Sequence, residues 1–298
     1  MKLLIENWNK FINEKALPGQ LDPKMFPQKL SQVQPQAAQN LSKTGGLDGV
    51  PDDDVISVQH KPEGIASVGK LKPSQSSMNI EKAMAFVLNM LWPGNSELNA
   101  GGDLGAFVSN DGYIMDGHHR WIATAMIDPS SSVGGYLVDF PGQQLVAILN
   151  TMTKGLFGVE RGKEATGGFD QFTPEKMKEQ LMQYAQGGIW SMKAEDVMNV
   201  LQKWTGAQGE EAIDAAVQKM SQNIGALTFE TPSWASDRAD MPVIDDKNVA
   251  PAAKALGQGQ INVNSPYKKG GQQSQQQAVQ QQKQMKEAML KVLKNKLK

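Results

Sequence analysis

The sequence predicts an α/β (α+β) protein, a small core of strands and helices with an appended helical region and flexible arms at both ends. Three observations predict it. Between about residues 55 and 160, short β-type runs alternate with helical stripes. From Thr173 to Asn223 the pattern is helical throughout, interrupted only near glycines. The two ends are rich in Pro, Gln, Gly and Ser and poor in large apolar residues, so they have little to offset the entropy of ordering. The expected divisions are 1–54, 55–160, 161–228 and 229–298.

Composition narrows the class further. The 298 residues carry 30 Lys+Arg against 31 Asp+Glu, a net charge of −1, so no global polycation is present to hold nucleic acid by charge alone. There is no Cys. That excludes disulfides, thiolate metal sites, iron–sulfur clusters and a cysteine nucleophile, and it is compatible with a reducing cytoplasm. Apolar stretches such as Ala83–Trp92 fall short of the ~18–20 residues a membrane-spanning helix needs. Glu6, Asn7, Asn9 and Lys10 break the apolar run that a signal peptide would require. The expectation is a soluble protein without a membrane partner, cytoplasmic or assembled inside a particle.

Taken in order, Met1–Glu14 places Leu4, Trp8, Phe11 and Ile12 on one helical stripe. Lys15–Asp54 reads as a linker or extended arm. Val55–Val58 is a short strand, and Ser67–Leu71 a second extended run ahead of Pro73. Ile80–Leu91 is a helix with Ile80, Met84, Val87, Leu88 and Leu91 on one face, ended by Pro93-Gly94. Ala106–Ser109 and Tyr113–Met115 flank Asn110-Asp111-Gly112, a strong hairpin signal because such turns need positive φ. A helix follows from about His119 to Ile127, stopped by Asp128-Pro129. Leu137–Phe140 is a strand and Leu145–Thr151 helical.

Beyond a Gly-rich joint at 155–168, Thr173-Pro174 caps a helix to about Gln186. Lys193–Trp204 and Glu210–Asn223 are two more. Phe229–Pro266 reads as irregular, Gln272–Gln284 as a solvated low-complexity tract, and Met285–Lys298 as a basic amphipathic tail helix.

Gly112–Trp121 is the segment that carries chemistry. It concentrates Asp116, Gly117, His118, His119 and Arg120 between a strand and a helix. A helix N-terminus offers unpaired N–H groups and the positive end of its dipole, which suits an anion. Gly117 permits close backbone approach, His118, His119 and Arg120 supply donors, and Asp116 could orient a histidine, cap the helix or bind a metal that bridges phosphates. Other readings are a zinc site, for which only His60 remains as a further histidine, a Ser-His-Asp arrangement without a nucleophile elbow, and a purely structural cap.

Asp116-Gly117-His118-His119-Arg120, between strand and helix, resembles the signature loop of the ParB/sulfiredoxin superfamily. Val68–Gln75, with Lys72-Pro73, is similar to the entry of that fold, and the resemblance covers roughly residues 55–160. It implies a small mixed-sheet domain whose loop cradles nucleotide phosphates: ATP, ADP or CTP with Mg²⁺, and no zinc, haem or iron–sulfur group. The implied phosphate-binding residues are Lys72, Gly117, His118, His119 and Arg120. Asp116, His118 and Gln75 would hold the catalytic positions, with Asp116 at the metal. Hydrolysis or phosphoryl transfer would follow.

The departures are specific. Sulfiredoxin needs a cysteine where this chain has His118. Partition proteins add a basic DNA-binding domain, whereas the helices at 173–225 carry Glu175, Glu179, Glu195, Asp196, Glu210, Glu211 and Asp214. The loop most resembles that of the free-serine kinase branch, but Gln75 stands where the kinase has a Glu base, and Gln accepts no proton at neutral pH. Glu81, about a turn onward, is a possible substitute. Met1–Trp8 is similar to N-termini of tailed-phage proteins. That implies a rival reading, a non-enzymatic virion- or DNA-associated protein contacting phage structural proteins or DNA through its basic tail. A second rival is a ParB-like nuclease in which the same histidines and Asp116 act on a phosphodiester.

Overall fold

A computed structural model describes residues 26–44, 56–94, 98–165, 167–228, 230–244 and 247–258. Its centre is a five-stranded mixed sheet built from β1 (Val58–Ser67), β2 (Lys72–Pro73), β3 (Asp103–Ser109), β4 (Tyr113–Asp116) and β5 (Ser132–Val138), in the order β1-β5-β3-β4-β2. β3 and β4 form the antiparallel hairpin that Asn110-Asp111-Gly112 predicts, with Gly112 at φ 83°. β5 returns parallel to β3, and β2 lies parallel to β4 at the far edge.

Successive side chains of a strand point to opposite faces, and the two faces are covered by different helices. Ala106, Val108 and Ile114 join a core with α2 (Ile80–Leu91) and α3 (His118–Ile127). Phe107, Met115 and Val138 join the opposite core with α4 (Gly142–Gly155) and α8 (Val249–Gly257). Both faces are therefore dry, and the layers run helix, sheet, helix.

The helices α5 (Pro174–Gly187), α6 (Ala194–Thr205) and α7 (Glu211–Gly225) follow the sequence pattern closely. Thr173 caps α5 by accepting the Lys176 N–H, with Pro174 in the first turn. These helices share the apolar core of α2 and α3 through Met177, Leu181, Val197, Leu201 and Val217. Two polar ties fix the seam. Tyr184 Oη donates to the Glu81 carbonyl at 2.9 Å, and Asn223 Nδ2 donates to the carbonyls of Met126 and Ile127 at the end of α3.

Several sequence expectations require correction. Residues 26–44, read as linker, contain a 3₁₀ turn (Leu30–Gln32) and α1 (Pro35–Thr44), and Phe26, Leu30, Val33 and Ala37 are buried. The expected second extended run at Ser67–Leu71 does not form a strand of its own: Ser67 ends β1, Val68–Lys70 makes a 3₁₀ turn, and the second strand is Lys72–Pro73. The first strand starts at Val58 and continues past Pro62 to Ser67. It lies at the sheet edge, and its register shifts between Lys61 and Ala66. Edge strands tolerate proline and bulges because one row of backbone groups has no partner.

The expected strand at Leu137–Phe140 lies earlier, at Ser132–Val138. Gly134 and Gly135 conceal it in the sequence. Here β5 passes between β1 and β3 so closely that a Cβ on Gly135 would collide with the Ala106 carbonyl, and one on Gly134 with the Pro62 carbonyl. The span read as irregular contains a 3₁₀ turn (Arg238–Asp240) and α8. The N-terminal stripe of Met1–Glu14, the glutamine tract and the basic tail lie outside the described residues.

Candidate functional site

β4 runs straight into Gly117, which adopts φ 96°, ψ 11° and opens α3. That left-handed conformation is one only glycine takes without strain. The N-cap residue of α3 is Gly117, which has no side chain to cap the helix, and Gly117 to Arg120 line the cleft. The cleft is lined by Gln75, Lys82 and Phe86 from one side and by Asp116 to Arg120 from below. Lys163 and the stretch Arg238 to Ile244 close it, leaving a mouth open to solvent.

Both loop histidines are buried and point inward to hold the fold. His118 Nε2 accepts the Ser74 N–H at 3.1 Å, and His119 Nε2 accepts the Asn79 N–H at 3.1 Å. An imidazole that accepts at Nε2 carries its proton on Nδ1 and is neutral. Burial first, and the Arg238 guanidinium second, push His118 down to about 3. The same two causes, with Lys82 next, push His119 down to about 2. The histidines therefore contribute no positive charge at neutral pH. What they do is lock residues 74–79 against the start of α3.

Three other cations supply the charge, and the sequence reading did not single them out. Lys82 stands on α2, where Asn79 caps the helix by accepting the Lys82 N–H. Lys163 comes from the Gly-rich joint and Arg238 from the C-terminal stretch. Burial depresses Lys82 most, and the nearby Arg238 and Lys163 depress it further. Arg238 is itself depressed by burial, which the Asp116 carboxylate partly opposes. With Arg120, four cations among the described residues line the cleft against a single carboxylate, Asp116, which receives Arg120 Nη2 at 2.9 Å.

Residues 230–244 form a strap that delivers Arg238. The Ser76 N–H donates to the Ser236 carbonyl, Ser76 Oγ donates to Asp237 Oδ1, and the Arg238 N–H donates to Ser77 Oγ. The Gly162 N–H donates to the Ala239 carbonyl at 2.9 Å, and Arg238 Nη1 donates to the Glu164 carbonyl at 2.9 Å. Joint, strap and loop 74–79 are thus one hydrogen-bonded frame around the cleft.

Of the residues expected at the site, Gln75, Asp116, Gly117, His118, His119 and Arg120 come together there. Gln75 is buried, with Nε2 donating to the Ser77 carbonyl at 2.8 Å. Lys72 does not line the cleft. Its ammonium lies 4.2 Å from the centroid of the Tyr113 ring, which packs edge-on to Trp234. Glu81 does not line the cleft either.

Among the described residues no group of three His, Asp or Glu side chains could hold a metal ion. A Mg²⁺ ion therefore fits here only with a ligand that brings its own phosphate oxygens to complete the shell beside Asp116. No helix among the described residues is long and apolar enough to cross a membrane. Comparison of the chain with family models, with curated proteins and with solved structures finds no match.

Proposed function

We propose that this chain binds a phosphate-bearing ligand, a nucleotide, at the N-terminus of α3. One observation carries the reading: among the described residues Lys82, Arg120, Lys163 and Arg238 converge, with one carboxylate, on a helix N-terminus whose cap residue is Gly117. Cations crowded together in a half-buried site repel one another and lose hydration, a state that a polyanion relieves. Helix dipole and backbone amides add directional donors for phosphate oxygens. The resemblance of Asp116–Arg120 to the ParB/sulfiredoxin loop points to the same ligand class, ATP, ADP or CTP.

In this reading Gly117 and the amides after it hold the terminal phosphates. The histidines keep the loop in place as neutral residues, and each has an Nδ1–H to donate. Bound together with the nucleotide, Mg²⁺ would offset phosphate charge; Asp116 is the residue that would orient it or an attacking water. Hydrolysis or phosphoryl transfer would depend on Asp116, because Gln75 takes up no proton.

The test is a thermal-shift screen of the full chain with ATP, ADP, CTP and GTP, each with Mg²⁺. Ligand at 100 times its dissociation constant adds about 2.7 kcal/mol of stability, a visible rise in Tm. The expected result is a rise that disappears in Arg238→Ala; no rise with any nucleotide rejects the reading. Phosphate release by the wild type but not by Asp116→Asn would establish turnover, and binding without release would make the domain a nucleotide-holding module.

A further inference from the structure

Next to the cationic cleft the chain exposes a large aromatic ring on a strained turn. α5 ends at Gly187, and Gly188 follows at φ 74°, where a Cβ would press into the Met192 carbonyl. Ile189 and Met192 exchange both backbone hydrogen bonds, Ile189 N–H to the Met192 carbonyl at 3.0 Å and Met192 N–H to the Ile189 carbonyl at 2.9 Å. Met192 is buried, which anchors the turn. Between them Trp190 sits at φ 52°, the one non-glycine residue with positive φ among those described, and its side chain is 55% exposed.

A bulky residue in the left-handed region is a rare outlier, and such strain concentrates at functional positions. Nothing in the fold requires a tryptophan there, since an exposed tight turn would be satisfied by Gly or Asn. The ring has a neighbour that ties it to the cleft. Phe86 lies edge-on to Trp190, with centroids 5.2 Å apart and planes at 74°, and Phe86 is itself a wall of the cationic cleft. One turn earlier on α2, the Lys82 ammonium lies 5.6 Å from the Phe86 centroid. Phe86 therefore touches both the cationic cleft and Trp190, which lies just outside the cleft lining and is more than half exposed.

Resting on the proposed phosphate site, we infer that Trp190, backed by Phe86, is the platform on which the base of the bound nucleotide stacks. Charge and aromatic face together match a ligand that is anionic at one end and a flat heteroaromatic ring at the other. Stacking on an indole accepts any base, because each offers a π-face. The platform thus gives affinity for nucleotides over inorganic phosphates, and little discrimination among bases. A free nucleotide is favoured over a strand of nucleic acid because the cations converge on one helix end rather than tracking along a groove.

The experiment is calorimetric titration of the full-length wild type, Trp190→Ala, Trp190→Phe and Trp190→Gly with ATP, CTP, inorganic tripolyphosphate and a ten-residue thymidine oligonucleotide. Wild type should bind ATP and CTP about tenfold or more tighter than tripolyphosphate. Trp190→Ala should lose about tenfold in ATP affinity, and Trp190→Phe much less. All variants should keep wild-type affinity for tripolyphosphate. Trp190→Gly relieves the φ strain, so it should fold at least as stably as wild type and still lose nucleotide affinity. Unchanged ATP binding in Trp190→Ala and Trp190→Gly, with tripolyphosphate still bound, overturns the platform alone. Tighter binding of the oligonucleotide than of ATP overturns the free-nucleotide assignment. Binding of neither ATP nor tripolyphosphate by the wild type removes the phosphate site, and the platform with it.

Discussion

His119 Nε2 accepts the backbone N–H of Asn79 at 3.1 Å, while the Asn79 side chain accepts the N–H of Lys82. Through this pair the first turn of α3 sets the start of α2, and so the position of Lys82 over the cleft. A neutral imidazole is what the contact requires, since a protonated ring has no acceptor at Nε2.

Stability should therefore depend on pH through His118 and His119. Each has a folded-state value, about 3 and about 2, below the ordinary 6.5. The unfolded chain takes up protons first, so stability from these groups is fully present above pH 6.5 and declines as pH falls from there toward 3. Urea midpoints measured from pH 7.5 to 4 should fall steadily below 6.5. His118→Gln and His119→Gln, whose amide oxygens can still accept the N–H, should each flatten that slope by one proton's worth, about 1.4 kcal/mol per pH unit. An unchanged slope in both variants would contradict the assignment.

Lys82→Met should separate function from stability. It removes a half-buried charge crowded by Arg238 and Lys163 while keeping the apolar stem against Phe86. Thermal unfolding should show a gain of about 1 kcal/mol, as in other binding sites relieved of strain. Phosphate affinity, followed by titration with pyrophosphate, should fall about tenfold or more, the usual size for loss of a charge-assisted contact.

Asp116→Asn should act in the opposite sense. Removing this carboxylate from the cleft lessens repulsion of an anion and releases Arg120 from its 2.9 Å pair. Without divalent cation, pyrophosphate should bind several-fold tighter than to wild type. Any enhancement that Mg²⁺ gives to nucleotide binding should shrink in the same variant, so paired titrations with Mg²⁺ and with a chelator provide the measurement.

Gly117→Ala should damage the fold at the loop itself. The added Cβ meets φ 96° and comes within 3.2 Å of Ala106 Cα and Cβ. A loss of about 1–3 kcal/mol in unfolding free energy is expected. Gly69→Ala provides the control, because nothing lies within 4 Å of its added Cβ.

The local signals of the sequence survive in the structure. Ile80–Leu91 is the predicted helix to the residue, because its apolar stripe, its Asn79 cap and the Pro93 stop agree. The hairpin at Asn110–Gly112 and the strand–Gly117–helix junction were legible for the same reason. β5 was displaced because Gly134 and Gly135 answer to close approach by β1 and β3, which only the assembled sheet reveals. Lys163 and Arg238 were invisible as site residues. Each lies in a segment without periodicity, and the hydrogen bonds of 162–164 and 236–239 to one another and to loop 74–79 bring them to the cleft. Residues 26–44 misled through composition: Phe26, Leu30, Val33 and Ala37 are few, yet all four are buried.

The strap that carries Arg238 also sets an order of events during synthesis. Every element of the sheet, and the loop at Gly117, lies before residue 139, whereas the last wall of the cleft extends to Ile244. A chain still on the ribosome can assemble the sheet and its first helices while the cleft stays open on one side and short of its final cation. A product that stops before residue 230 would lack Arg238 and also Met241, Ile244 and α8, which cover one face of the sheet, so in the proposed reading neither the cleft nor that core is complete until this stretch has been made.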